Sequence, residues 1–161
     1  MDSSYLLPAL NIEITEGWTK KNLLTLIRLE NYELFYCDLS LFEINTKCMK
    51  LILQHKLDVS IHKIQRGVNS ILQSPYLKRV NWWENVHESE ILLKLKEIHN
   101  DSIDCHLFYI SVVLCDVFAT FDASFIQKIK ANKEMLEWVE EVNPEFRVWM
   151  NDLKSEKIPL K

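Results

Sequence analysis

The chain has 161 residues, 48% of them hydrophobic and 26% charged, with a net charge of -4 at neutral pH. That length suits one domain able to bury a core, and that balance excludes a disordered chain. The longest apolar run, near residues 107–115, is far short of the roughly 20 residues that span a bilayer, and no basic-then-apolar leader opens the sequence. Only two glycines occur, Gly17 and Gly67, which excludes the glycine-rich phosphate loops. Cys37, Cys48, Cys105 and Cys115 are widely spaced, with no C-x-x-C pair. They read as buried free thiols in a reducing compartment, so a cytoplasmic location is expected. The five histidines include no H-x-H or H-E-x-x-H, so a zinc site is not expected and each reads as a polar or core residue.

"DSSYLLPAL" predicts a short helix after Asp2, and "TKKNLLTLIRLEN" (19–31) an amphipathic helix with Leu23, Leu26, Ile27 and Glu30 on one stripe. The aromatic-rich "YELFYC" (32–37) predicts a strand. Residues 40–55 and 59–73 predict two successive helices, ended by "SP", and "YLKRVNW" an edge strand. Helices follow at 89–99 and 102–115, then a strand in "DVFATF", a helical turn or two in "SFIQKIK" and a last strand in "MLEWVEEV". "NPEFRVWMNDLKS" predicts a C-terminal helix over about 143–155, with Asn143 as N-cap and Pro144 at the first helical position. Its Phe146, Trp149, Met150 and Leu153 fall at helical spacing, which predicts a stripe packed on the sheet, with a dimer or a partner's groove as the alternative. Strands alternating with helices imply a mostly parallel sheet covered on both faces, with ligands outside the carboxyl ends of the strands.

Acidic residues recur at such edges. Asp122 ends the apolar "DVFATF", and Asp2, Glu43 and Asp104 also fall near strand ends or in first helical turns. Each has a structural reading as well. Ser40 and Glu43 form the S-x-x-E spacing of a capping box. Asp104, in competition with Asp101, suits a helix dipole, and Asp122 suits an N-cap. Ser4 and Thr120 suit local backbone bonds. Hydrolysis of a phosphodiester needs an activated water and neutralised phosphoryl oxygens. Mg²⁺ or Mn²⁺ supplies both, and such hard cations prefer carboxylate oxygens. Carboxylates gathered without a cation repel one another.

The ordered set "MDSSYLLPAL", "SLFEI", "DSIDCHLFYIS" and "DVFATFDASF" resembles the PIN-domain family from Asp2 to about Phe125. The resemblance implies a three-layer α/β fold with a mostly parallel central sheet flanked by helices, the helical pair at about 40–73 projecting from a single domain spanning 1–161. It implies a metal-dependent endoribonuclease that uses Mg²⁺ or Mn²⁺, with Asp2, Glu43, Asp104 and Asp122 on the family's metal-binding acids and Ser4 and Thr120 on its supporting hydroxyls. Many members are toxin halves of toxin–antitoxin pairs, so RNA, an antitoxin protein and a second copy of the chain are the partners expected, without a membrane. A non-catalytic interaction module that keeps the fold is the alternative.

Charge is distributed unevenly. Between Ile44 and Trp83 lie seven Lys or Arg and one acid, Asp58. Lys47 and Lys50 share a face on the first helix of the pair, and Lys63 and Arg66 on the second. This predicts a face that holds the RNA backbone, against the simpler reading of a solvated helix surface. Trp82 and Trp83 are candidates for base stacking or for burial.

Overall fold

The structure, a computed structural model, describes residues 1–12, 17–29, 31–56, 59–86 and 89–150, and the backbone of Ser155–Lys157. It is an α/β protein in two compact units: Met1–Asp2 with the chain from Trp82 onward, and Ser3–Asn81. The first unit carries sixteen acidic and nine basic residues, the second seven and ten. Among the described residues no helix is long and apolar enough to cross a membrane.

The Ser3–Asn81 unit opens on a 3-10 segment, Ser3–Leu10, which contains Pro8 and therefore lacks one backbone donor. Tyr5, Leu6 and Leu10 are fully buried, and the Tyr5 carbonyl accepts the Trp18 indole N–H at 3.0 Å. Helix α1 (Lys20–Ile27) buries Leu23 and Leu26; Glu30, expected on the same stripe, lies outside the described residues. Strand β1 (Leu34–Cys37) leads directly into α2 (Asp38–Leu53), followed by α3 (Ile61–Leu72) and β2 (Leu77–Val80). The predicted helical pair is thus α2 and α3. β1 and β2 run parallel, Leu34 opposite Leu77 and Cys37 opposite Val80, flanked by the ion pairs Lys78–Glu33 (2.5 Å) and Arg79–Asp38 (3.2 Å).

Helices α1, α2 and α3 all pack on the 3-10 segment. The approach is tight at Gly67 of α3. A Cβ there would meet the Leu10 Cα and Cγ at 2.7 Å and the Ala9 carbonyl oxygen at 2.9 Å. Two of these are backbone atoms and cannot swing away. Gly67→Ala is expected to destabilise the protein despite the roughly 1 kcal/mol that alanine gains over glycine inside a helix. Overpacking costs about 1–3 kcal/mol, and rigid neighbours put this site at the upper end, leaving a net loss of about 1–2 kcal/mol. Urea denaturation of the variant measures it; a raised midpoint would show that α3 can shift away.

The other unit contains α4 (Ser89–Ile98), α5 (Ser102–Leu114), β3 (Val117–Ala119), α6 (Ala123–Ala131), α7 (Lys133–Val142), β4 (Arg147–Trp149) and β5 (Ser155–Lys157). Its axis is α5, whose Cys105, Leu107, Phe108, Tyr109, Ile110 and Val112 are all buried. Phe108 meets Phe118, Phe125 and Phe146 edge-on at 5.5–6.0 Å, and Tyr109 stacks on Trp138 at 5.6 Å. Edge-to-face rings at these spacings are favourable beyond the area they bury. β3 pairs parallel with β4, Phe118 opposite Val148, and β4 pairs antiparallel with β5.

Two elements differ from the sequence expectation. "MLEWVEEV" is helix α7, not a strand. Asn132 caps it by accepting the Met135 N–H at 3.1 Å, and Met135, Trp138 and Val139 bury one face at helical spacing. The expected helix over 143–155 is absent where the chain is described: residues 147–149 form strand β4. Asn143 does not cap a following helix. Its side-chain amide donates to the Val112 and Cys115 carbonyls (3.2 and 3.0 Å), closing the end of α5. Val148 and Trp149 are then drawn in beside β3. Residues 151–154 of the predicted helix lie outside the described residues.

Cys37, Cys48 and Cys105 are buried free thiols and Cys115 is half-buried. Burial pushes all four up, Cys37 and Cys105 to about 11. A raised thiol favours the neutral folded form. The stability it contributes is full below the unfolded value near 8.5 and is lost as pH rises toward 11. We expect a flat urea midpoint from pH 6 to 8 and a decline above about pH 9, shallower in a Cys37→Ala/Cys105→Ala variant. Equal slopes for both proteins would assign the decline to other groups.

Candidate functional site

Three acidic residues of the Met1–Asp2/Trp82 unit, Asp2, Asp104 and Asp122, come together at the ends of elements. Asp2 donates its N–H to the Ala119 carbonyl at 2.8 Å, continuing the end of β3, and its side chain is buried. Thr120, one residue beyond β3, donates its hydroxyl to Asp2 Oδ2 at 3.2 Å and accepts the Asp122 N–H at 3.1 Å. This one buried hydroxyl therefore ties the two acids together. Asp122 serves both roles considered for it. Oδ1 caps α6 by accepting the Phe125 N–H at 2.8 Å, while Oδ2 faces His99 Nε2 at 3.9 Å.

Asp101, not Asp104, caps α5: its carboxylate accepts the Ile103 and Asp104 N–H groups. Asp104 then turns to His99, with Oδ2 at 3.0 Å from Nε2. A carboxylate oxygen of Asp104 lies within 4.8 Å of one of Asp2. His99 follows α4 directly. Its backbone N–H bonds to the Leu95 carbonyl at 2.9 Å, and its ring leans on Phe125 with 4.5 Å between centroids. Ligand atoms of His99, Asp104 and Asp122 all fall within 4.8 Å of one another.

The other predicted residues lie in the Ser3–Asn81 unit. Ser4 is half-buried in the 3-10 segment. Glu43 lies inside α2, only 2% exposed, and ion-pairs with Lys47. Helix α2 begins at Asp38, so Ser40 is not an N-cap and the S-x-x-E capping box does not form. Lys47, Lys50, Lys63 and Arg66 are all solvent-exposed, Lys47 through its pair with Glu43 already committed to one carboxylate. Trp83 is 73% exposed, edge-on to Trp82, which itself meets His106 at 5.6 Å.

His99 is the residue that sequence reasoning missed. The signal was its place at the end of one helix and five positions before Asp104 at the start of the next, which turns both side chains toward one connection. The donors present suit a small divalent cation. In octahedral coordination with bonds of about 2.1 Å, ligand atoms lie roughly 3.0 Å apart when adjacent and 4.2 Å when opposite. The 3.0 Å separation between His99 and Asp104 is also that of a hydrogen bond, and Asp122 Oδ2 lies farther from the ring, at 3.9 Å.

No family model matches the chain, and no curated protein and no solved structure matches it.

Proposed function

We propose that the protein is a PIN-like, metal-dependent endoribonuclease on a three-layer α/β core, cleaving phosphodiester bonds of RNA with Mg²⁺ or Mn²⁺. The observation that carries the reading is the convergence of Asp2, Asp104 and Asp122 on the shared Thr120 hydroxyl and the His99 ring. Such a gathering of carboxylates is unfavourable unless cationic charge or hydrogen bonds offset it. When bound, a divalent cation supplies an acidified water and neutralises phosphoryl oxygens. Asp104 and Asp122 would hold that cation, Asp2 lies within 4.8 Å of Asp104, and the Thr120 hydroxyl joins Asp2 to the Asp122 backbone. The four-acid set of the resemblance includes Glu43, but this proposal rests on the three acids of one unit.

Toxin activity with an antitoxin partner, or action as a homodimer, belongs to the same reading. A second reading, a non-catalytic interaction module, is favoured by one observation: Glu43 and Asp104 already have basic partners in Lys47 and His99. Incubation of single-stranded RNA with the purified protein, with Mn²⁺, Mg²⁺ or a chelator, separates the two. Cleavage that a chelator abolishes supports the nuclease; no cleavage under any condition favours the module.

A further inference from the structure

We propose that the outward face of α2 is a docking site for an amphipathic helix of a separate protein, one that carries an apolar heptad seam with acidic residues along its flank. The inference stands apart from the nuclease reading and uses neither RNA nor metal.

Helix α2 is apolar on two opposite sides. Ile44 and Cys48 are buried within the Ser3–Asn81 unit, whereas Phe42, Met49 and Leu53 on the other side are 61, 51 and 79% exposed. A helix that serves only to cover a core needs one apolar stripe, not two. The exposed set has an order of its own. Positions 42, 46, 49 and 53 advance by four, three and four residues. That is the spacing with which one helix seats its side chains between those of another. At 1.5 Å per residue the seam is about 16 Å long. Its polar member, Thr46, donates its hydroxyl to the Phe42 carbonyl at 2.9 Å, so it brings no unmet donor to the seam.

Charge identifies the occupant. Lys50, one turn beyond Thr46, flanks the seam, is exposed and forms no ion pair among the described residues. The two acids of α2 are already engaged, Asp38 with Arg79 and the buried Glu43 with Lys47. Between Ile44 and Trp83 basic residues outnumber acids seven to one. The complementary flank is therefore acidic. Among the described residues this chain does not supply it. Two α2 faces together would bring only cationic and neutral groups to the seam. Helix α7 exposes Glu134, Glu137, Glu140 and Glu141 but buries its apolar Met135, Trp138 and Val139. An RNA backbone would satisfy Lys50 and leave Phe42, Met49 and Leu53 in water. A partner helix satisfies both.

The test titrates the full-length protein into a fluorescein-labelled three-heptad peptide, with Leu at the a and d positions and Glu at e and g, followed by anisotropy. A second peptide has Lys in place of Glu. Wild type is expected to bind the acidic peptide about tenfold or more tightly than the basic one. Phe42→Ser/Met49→Ser/Leu53→Ser is expected to weaken that binding by about tenfold or more. Leu93→Ser, at an exposed leucine of α4, leaves it unchanged. Lys50→Glu reverses the preference between the two peptides, and decides the matter if the triple variant fails to fold. Equal binding of both peptides, or unchanged binding by the triple variant, overturns the proposal. So does a seam taken by something else: self-association in light scattering that the triple variant abolishes, or retention on phosphatidylglycerol vesicles, in either case without binding of the acidic peptide.

Discussion

Asp104→Asn is expected to lower metal-dependent cleavage of single-stranded RNA by about 10³-fold or more while leaving the fold intact. A bound cation contributes several kcal/mol of transition-state charge stabilisation, and each 1.36 kcal/mol is tenfold in rate. Losing one charged ligand from a set this small removes most of that effect. The fold survives because Asn keeps an oxygen where Asp104 Oδ2 now faces His99 Nε2, and because Asp101, not Asp104, caps α5. Removing one of three neighbouring carboxylates also relieves repulsion, so the thermal midpoint of the metal-free variant should be equal to or slightly above that of wild type. The assay is single-turnover cleavage by repurified wild type and variant, with circular dichroism on both. Wild-type rates in the variant would remove Asp104 from the site.

The second large effect concerns RNA affinity. Lys50, Lys63 and Arg66 are exposed on the helical pair, in the unit with a surplus of basic residues. Replacing all three with Ala is expected to flatten the log–log salt dependence of single-stranded RNA binding by about 2 units, from roughly 0.7 per phosphate contact. Between 50 and 200 mM salt that is about a twenty-fold difference in how far affinity falls. Lys47 is best changed separately. Its ion pair with buried Glu43 means that Lys47→Ala strands a carboxylate, so a loss of stability would be mistaken for a loss of binding. Equal slopes for wild type and the triple variant would reduce these side chains to a solvated surface.

The α/β class and most elements were legible because their signals are local. Aromatic and branched residues mark β1 and β3, and helical stripes mark α1, α2, α3 and α5. The end of the chain was not legible because its determinants are distant. Asn143 followed by proline is a sound helix start, but its amide is spent on two carbonyls of α5, and nothing near residue 143 in sequence announces that. Asp104 and Asp122 were legible as acids at element edges, and Thr120 as their neighbour. Capping and ligation looked like rival roles for Asp122 because sequence treats a carboxylate as one group. In space its two oxygens do different things. His99 escaped because histidines were sought in short metal-binding spacings, whereas its partners come from two other elements.

The bond between Thr120 and Asp2 spans 118 positions of sequence. Asp2 is synthesised 118 positions ahead of Thr120, so this bond forms only once the residue after β3 has been made. At about 5–20 residues per second that interval lasts on the order of ten seconds. Meanwhile the whole Ser3–Asn81 unit, a contiguous stretch, has been synthesised. The nascent chain thus presents its surplus of positive charge early and gathers its acids late. Whatever chemistry those acids perform is withheld until Thr120 and Asp122 have been made.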